Sequence, residues 1–227
     1  MKLLIIEDEK ELSNSMSCYL SRENYICDTA FDFHTALKKS SLNEYTCVIL
    51  DLTLPGGNGL TILTELKKNK NGAGVIIVSA KNSLHDKING LKTGADDYLS
   101  KPFHLPELSA RVDAVIRRKL FAGNNKIILD KLVLDTDART ATGEKGAIDL
   151  TRKEYELLLY FASNKDKVIT KESIVEHLWG DNTDMISNYD FIYTHVKNLR
   201  KKLTDNACPD YIKAVHGVGY KFSVTAH

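Results

Sequence analysis

The first 120 residues alternate short apolar runs with amphipathic stretches, and this alternation constrains the fold more than any other feature of the chain. Short apolar runs predict buried strands, and apolar positions at helical spacing between them predict helices. Five strand–helix repeats predict an α/β fold, a doubly wound parallel sheet with helices on both faces. The predicted strands cover residues 3–6, 25–29, 47–50, 75–78 and 97–99, and the predicted helices lie near 9–22, 34–40, 59–69, 85–93 and 105–120.

The pattern changes after residue 120. A small, polar stretch at 122–126 is typical of a linker. Beyond it we predict strands at 126–129, 132–135, 140–142 and 147–150, helices near 152–163, 171–178 and 188–203, and a hairpin of 211–215 and 220–224. This order indicates an α+β winged-helix domain. We therefore expect one domain at 1–120, a linker at 121–126 and a second domain at 127–225.

Charge and cysteine content exclude several classes of protein. The formal net charge is only +1, so a nucleic-acid site must be a local basic patch. The four cysteines, Cys18, Cys27, Cys47 and Cys208, form no CxxC pair, which disfavours zinc or a disulfide framework and favours thiols in a reducing compartment. The chain shows no signal peptide and no apolar run of membrane length, so we expect a cytoplasmic protein.

Acidic, hydroxyl and cationic side chains follow the predicted strands where these strands end. Glu7 and Asp8 follow the first strand, Asp51 the third, Ser79 the fourth and Lys101 the fifth. Because the carboxyl ends of such strands meet at one edge of the sheet, we expect a shared cleft. Clustered carboxylates need a cation, and all-oxygen ligation suits Mg²⁺. Asp51 is then a nucleophile that forms an aspartyl phosphate, with Lys101 as a mobile charge beside it.

These residues lie in four motifs: Ile5-Ile6-Glu7-Asp8, Val48-Ile49-Leu50-Asp51-Leu52-Thr53-Leu54-Pro55, Val78-Ser79-Ala80-Lys81 and Gly94-Ala95-Asp96-Asp97-Tyr98-Leu99-Ser100-Lys101-Pro102-Phe103. Together they resemble the receiver domain of two-component response regulators, a flavodoxin-like (βα)5 domain, over essentially all of residues 1–120. The resemblance implies that Asp51 accepts a phosphoryl group from a histidine kinase. It also implies that Asp8, Asp51 and the Thr53 backbone carbonyl ligate Mg²⁺, with Glu7 acting through water.

The same resemblance implies a switch around the phosphoryl group. Ser79 and Tyr98 would form the switch pair, and Lys101 would bind phosphoryl oxygens. The Lys101–Pro102 peptide bond would be cis, which proline permits. The plainer interpretations are a half-buried aromatic ring for Tyr98 and a helix cap for an aspartate at a strand end.

Charged side chains are frequent between residues 85 and 118. This region resembles the face through which the OmpR/PhoB-type subfamily forms a symmetric dimer on phosphorylation. The resemblance implies three ion pairs across the dimer axis: Lys87 with Glu107, Asp97 with Arg111, and Asp96 with Arg118. It also implies that Leu91 and Val112 form the apolar centre of the interface. Without the resemblance, the mixed charges favour a solvated face.

Residues 188–203 predict an amphipathic helix with a basic face. Apolar residues recur at helical spacing, and four of the six residues from Lys197 to Lys202 are basic. Cations on such a face suit DNA phosphates, and an amide such as Asn198 suits adenine. Taken alone, the basic run is better explained as a solvated helix end, because cations stabilise helix C-termini.

The hairpin at 213–222 reverses that preference, because residues 126–225 resemble the winged-helix domain of the same subfamily. Thr151 and Glu154 in this region also predict a helix capping box. His216 stands where the wing usually carries an arginine, and Asp190 stands where a cationic or neutral residue is common. The residues predicted to contact DNA are Thr194, His195, Lys197, Asn198, Arg200, Lys201, His216 and Lys221.

The favoured hypothesis is a two-component response regulator that is phosphorylated on Asp51, dimerises through its receiver and binds promoter DNA to regulate transcription. The implied partners are a sensor histidine kinase, double-stranded DNA, RNA polymerase and a second copy of the chain, with no membrane. Apart from its own phosphoryl transfer and dephosphorylation, it is not expected to be an enzyme. Two alternatives stay open: a regulator that binds DNA without phosphorylation, and an aspartate-nucleophile phosphohydrolase, for which the sequence offers no acid–base group beside Asp51.

Overall fold

The computed structural model describes residues 1–68, 72–121, 123–179 and 190–224. The chain divides into two compact units, Met1–Gly123 and Asn124–His227. In the described part of the chain, no helix has both the length and the apolarity that a membrane span requires. All four cysteines are free thiols; Cys47 and Cys208 are buried, and Cys18 is exposed.

The first unit is a five-stranded parallel sheet flanked by helices, as the strand–helix repeats predict. Its strand order is β2-β1-β3-β6-β7, and every pairing in it is parallel. The strands are β1 Lys2–Ile6, β2 Ile26–Ala30, β3 Cys47–Leu50, β4 Thr53–Leu54, β5 Gly57–Asn58, β6 Gly74–Ser79 and β7 Asp97–Ser100. The helices are α1 Lys10–Arg22, α2 Phe33–Leu42, α3 Gly59–Lys68, α4 Leu84–Thr93 and α5 Leu105–Phe121. The sequence did not predict the short β4–β5 hairpin.

The central strands are apolar throughout because both of their faces are covered by helices. Successive side chains of β1 point to opposite faces: Leu4 and Ile6 join one buried cluster, and Leu3 and Ile5 join the other. The first cluster contains residues of α2 and α3, and the second contains residues of α1 and α5. Both faces of the sheet are therefore covered by packed side chains, and its carboxyl edge is left to carry the functional loops.

The second unit is the predicted winged-helix domain. A four-stranded antiparallel sheet has the order β11-β10-β9-β8, and a three-stranded sheet has the order β12-β14-β13. The strands are β8 Lys126–Leu129, β9 Leu132–Asp135, β10 Thr140–Gly143, β11 Gly146–Ile148, β12 Val168–Thr170, β13 Ile212–Val215 and β14 Gly219–Phe222. The helices are α6 Arg152–Ser163, α7 Lys171–Trp179 and α8 Asp190–Asp205. The sequence did not predict β12, and residues 188 and 189 of the predicted third helix lie outside the described residues.

Two local predictions in this unit are confirmed. Thr151 and Glu154 form the capping box at the start of α6, with the Thr151 side chain accepting from the Glu154 amide and the Glu154 side chain accepting from the Thr151 amide. On α8 the apolar stripe is buried, and the opposite face of the helix is exposed to solvent. Its residues are Ile192, Val196, Leu199 and Leu203.

Candidate functional site

Three carboxylates meet at the carboxyl edge of the parallel sheet. Glu7 and Asp8 follow β1, and Asp51 follows β3. Each offers an oxygen, and these oxygens all lie within 4.8 Å of one another. Glu7 and Asp51 are buried, with 1% and 5% of their surface exposed, whereas Asp8 is exposed. The convergence predicted from the strand ends is therefore present.

Lys101, which follows β7, connects two of these carboxylates. Its Nζ donates to Asp51 Oδ2 at 2.6 Å and to Glu7 Oε1 at 2.7 Å. Burial lowers the pKa of Lys101, but the hydrogen bonds to Asp51 and Glu7 outweigh it and raise the pKa above its ordinary value. Burial also raises the pKa of Glu7, against the opposing effect of Lys101. The ammonium is thus held charged at the Asp51 carboxylate.

The residues of this cluster fit a divalent cation. One ammonium cannot balance three carboxylates, so a further positive charge is favoured there. Glu7 Oε2 is buried and, among the described residues, has no hydrogen-bond donor. The donor set is all oxygen, which is the set that Mg²⁺ prefers. The Thr53 amide donates to Asp51 Oδ1 at 2.9 Å and so orients the Asp51 carboxylate.

The backbone of Lys81 joins the two residues of the predicted switch pair. The Lys81 amide donates to Ser79 Oγ at 3.2 Å, and the Tyr98 hydroxyl donates to the Lys81 carbonyl at 2.5 Å. Ser79 is fully buried, and Tyr98 is 9% exposed, so Tyr98 is more buried than the plainer interpretation supposed. Burial raises the pKa of the Tyr98 hydroxyl. The Lys101–Pro102 bond is cis, as the resemblance implied.

The charged face of the first unit forms ion pairs within the chain. Arg111 binds Asp97 at 2.8 Å and Glu107 at 2.8 Å. Asp96 is bound by Lys119 at 2.9 Å and also by Lys67 and the Val75 amide. Arg118 donates to the Asp96 carbonyl rather than to its carboxylate. Cross-dimer pairs of Asp97 with Arg111, or of Asp96 with Arg118, would have to displace these contacts.

The predicted apolar centre of the dimer face needs a correction. Val112 is fully buried in the core cluster beneath α5, so it cannot contact a second copy. Leu91 is 46% exposed, and Ile88 and Leu84 on the same helix are 41% and 74% exposed. These three residues, at positions i, i+4 and i+7 of α4, form an exposed apolar stripe. Lys87 lies on the same helix and is partly exposed.

Most of the residues predicted to contact DNA lie on the exposed side of α8. Thr194, Lys197, Asn198 and Lys201 are exposed, as is His216 at the turn of the β13–β14 hairpin. The remaining predicted contacts, His195, Arg200 and Lys221, are partly exposed. The face thus offers cations, a hydroxyl and an amide to a partner, which is the composition that phosphates and base edges require.

Several of these side chains already have partners. The Arg200 guanidinium binds Asp210 through two hydrogen bonds, Nε to Oδ1 at 2.9 Å and Nη2 to Oδ2 at 2.5 Å. The ring of His195 lies 5.8 Å from that of Trp179. The Thr194 hydroxyl donates to the Asp190 carbonyl at 3.2 Å. Arg200 is therefore already paired, so the phosphate contact predicted for it would compete with Asp210.

The sequence also missed a basic and aromatic pair beside α8. Lys171, the first residue of α7, donates from Nζ to the Tyr193 hydroxyl at 2.5 Å and lies 4.8 Å from the centre of its ring. Tyr193 is 48% exposed. The spacing of Tyr193, Lys197 and Lys201 at every fourth position could have indicated that Tyr193 shares their face.

Comparison with known families matches both units. The response regulator receiver domain family matches residues 3–113, and the family described as transcriptional regulatory protein, C terminal, matches residues 143–222. The geometry of the first unit is that of a receiver, and the second unit is a winged helix. The chain belongs to the two-component response regulators of the OmpR/PhoB type.

Relatives of known identity cover nearly the whole chain. The response regulator ArlR of Staphylococcus saprophyticus is 37% identical over 219 residues, which is 96% of this chain and 97% of that protein. ArlR of Staphylococcus aureus is likewise 37% identical, over 96% of this chain and 98% of that protein. Among solved structures, the receiver domain of the Francisella response regulator 1452 aligns with a TM-score of 0.50 and 35% identity, covering 52% of this chain and 97% of that domain.

Proposed function

We propose that this response regulator is switched by phosphorylation of Asp51. The observation that carries the proposal is the position of Lys101 Nζ, 2.6 Å from Asp51 Oδ2, inside a cluster of three carboxylates. A lysine ammonium that is held at a buried carboxylate can pair with the oxygens of a phosphoryl group once the carboxylate has accepted that group. The proposed donor is the phosphohistidine of a sensor kinase.

The transfer needs little chemistry from the protein beyond positioning and charge. An Asp51 oxygen attacks phosphorus, the new P–O bond forms as the P–N bond breaks, and the histidine imidazole leaves and takes up a proton. Lys101 stays beside the phosphoryl oxygens and offsets their charge. Glu7, Asp8, Asp51 and the Thr53 carbonyl would hold Mg²⁺, which supplies further neutralisation and orients the donor.

The proposed switch passes through the Lys81 backbone. A phosphoryl group on Asp51 would add acceptor oxygens at the carboxyl edge of the sheet, and we propose that the buried Ser79 hydroxyl then donates to one of them. Ser79 and Tyr98 both contact the Lys81 peptide, so a shift of Ser79 disturbs the Tyr98 hydrogen bond. Tyr98 lies on β7 and packs beside Gly90 of α4, which links the phosphoryl site to the helix that carries the exposed apolar stripe.

We propose that this stripe, Leu84, Ile88 and Leu91, forms the apolar part of a phosphorylation-dependent dimer contact. The dimer would place two copies of α8 on promoter DNA, with Lys197 and Lys201 at phosphates and Asn198 at a base. RNA polymerase is a proposed partner of the DNA-bound form.

Labelling with a phosphoryl donor tests the first step. Wild-type protein should take up acid-labile label when Mg²⁺ is present, and Asp51→Asn should not. Asp205→Asn, the same substitution in the other unit, should label like wild type. Equal labelling of wild type and Asp51→Asn would contradict the proposal.

Mapping bound promoter fragments with and without phosphorylation tests the second step. Identical binding by both forms would favour the phosphorylation-independent alternative.

A further inference from the structure

A cleft of about 570 Å³ lies beside α8, lined by residues of this helix and of the β13–β14 hairpin. Three cations line it, Lys197, Arg200 and Lys201, together with one carboxylate, Asp210. Asp210 precedes β13 and is 31% exposed at its side chain. A carboxylate is out of place on a surface that binds a polyanion, because it repels phosphates.

The Asp210 carboxylate forms a bidentate ion pair with one of these cations, which is the strongest geometry for a surface pair. Arg200 Nε and Nη2 each donate to a different oxygen of Asp210, at 2.9 and 2.5 Å. Such bidentate pairing is stronger and more specific than a single contact. Lys213 approaches the same carboxylate only to 3.8 Å, so Arg200 is the principal partner.

We infer that Asp210 is an affinity-setting residue, which weakens DNA binding by holding the Arg200 guanidinium away from DNA phosphates. The planar fork that binds a carboxylate also binds a phosphate, so the two acceptors compete for it. This inference rests on the proposed function, in which the exposed face of α8 meets DNA. An arginine that stays paired with Asp210 neutralises no phosphate and releases no counterion.

Binding of the full-length protein to a random-sequence duplex, titrated over a range of salt concentrations, tests this. Asp210→Asn should bind roughly two- to fivefold more tightly at low salt. Its slope of log affinity against log salt should steepen by about 0.9, the value for one additional phosphate contact. Asp205→Asn removes the same charge from the end of α8, outside the cleft, and should match wild type.

The Arg200→Gln background separates this inference from simple charge repulsion. There, Asp210→Asn should bring a clearly smaller gain and no steeper slope, because only the repulsion between carboxylate and phosphates is removed and no guanidinium is left to release. An equal gain in both backgrounds, or no gain in either, would overturn the inference. Thermal unfolding followed by Trp179 fluorescence, with Asp210→Ser as a second variant, checks that each protein is folded. Wild-type protein that shows no salt-dependent binding would instead refute the proposed DNA-binding function, and the inference with it.

Discussion

Replacing Glu154 with glutamine should destabilise the winged-helix unit and weaken the attachment of α8 to α6. Glu154 is 3% exposed. Its Oε2 accepts from the Thr151 amide at 2.8 Å and from Lys202 Nζ at 2.7 Å, so one carboxylate both caps α6 and anchors α8. Glutamine keeps the shape of the side chain but loses its charge. Charged hydrogen bonds contribute about 1.5–3 kcal/mol each, so we expect a loss of about 2 kcal/mol in the free energy of unfolding.

The pH dependence of this loss has a defined sign. Burial raises the pKa of Glu154, but the hydrogen bonds from Lys202 and Thr151 outweigh it and hold the pKa below its ordinary value of 4.5. A group with a lowered folded pKa stabilises the protein fully above its unfolded pKa and loses that effect as the pH falls through the folded value. The difference between wild type and Glu154→Gln should therefore be complete at pH 7 and shrink in strong acid.

The assay uses the intrinsic fluorescence of Trp179, the single tryptophan of the chain, which lies at the end of α7 in the winged-helix unit. A loss of about 2 kcal/mol lowers the melting temperature of a unit of this size by roughly 10 °C. Glu144→Gln is the control, because Glu144 pairs with Lys131 at 3.1 Å but both side chains are largely exposed, and it should change the free energy of unfolding by less than about 0.5 kcal/mol. Equal shifts for the two variants, or a Glu154→Gln deficit that persists unchanged in acid, would refute the reasoning.

Three further predictions concern the other sites. Lys101→Gln should slow labelling of Asp51 by roughly tenfold or more, measured as the initial rate with a phosphoryl donor, because the charge offset at the phosphoryl oxygens is lost; an unchanged rate would contradict this. Leu91→Ala should weaken the phosphorylated dimer in sedimentation without lowering stability, whereas Val112→Ala should lower the free energy of unfolding by about 2 kcal/mol; the reverse pattern would restore Val112 to the interface. Lys171→Gln should flatten the salt dependence of DNA binding by about 0.9 in slope, because we expect its ammonium to contact one phosphate; an unchanged slope would contradict this.

The sequence predicted the central strands of the first unit because their apolar runs are buried on both faces and bounded by polar residues. It predicted the meeting of Glu7, Asp8 and Asp51 for a topological reason, since the carboxyl ends of parallel strands share an edge. The sequence did not predict β12 because three residues are too few to show the alternation of apolar and polar side chains that is typical of a strand. Its pairing with β14 is a long-range contact that the local sequence does not indicate.

Two findings departed from the sequence analysis for different reasons. Val112 follows Leu108 and precedes Val115 and Ile116 at helical spacing, so the periodicity of α5 already indicated the core, but the family resemblance suggested a surface. The ion pair of Arg200 with Asp210 could not be predicted, because the basic run carries no information about partners outside α8. Asp210 lies ten residues away, and only the turn after α8 brings its carboxylate back to the guanidinium.

Mapping of the modified residue tests the central claim most directly. Protein treated with a phosphoryl donor and Mg²⁺ can be reduced with borohydride, which converts an aspartyl phosphate to homoserine, and then digested for mass spectrometry of its peptides. Homoserine at position 51 alone is the predicted result. Modification at another carboxylate, or none in folded wild-type protein, would contradict the claim that the loops after β1, β3 and β7 build a phosphoacceptor site around Asp51.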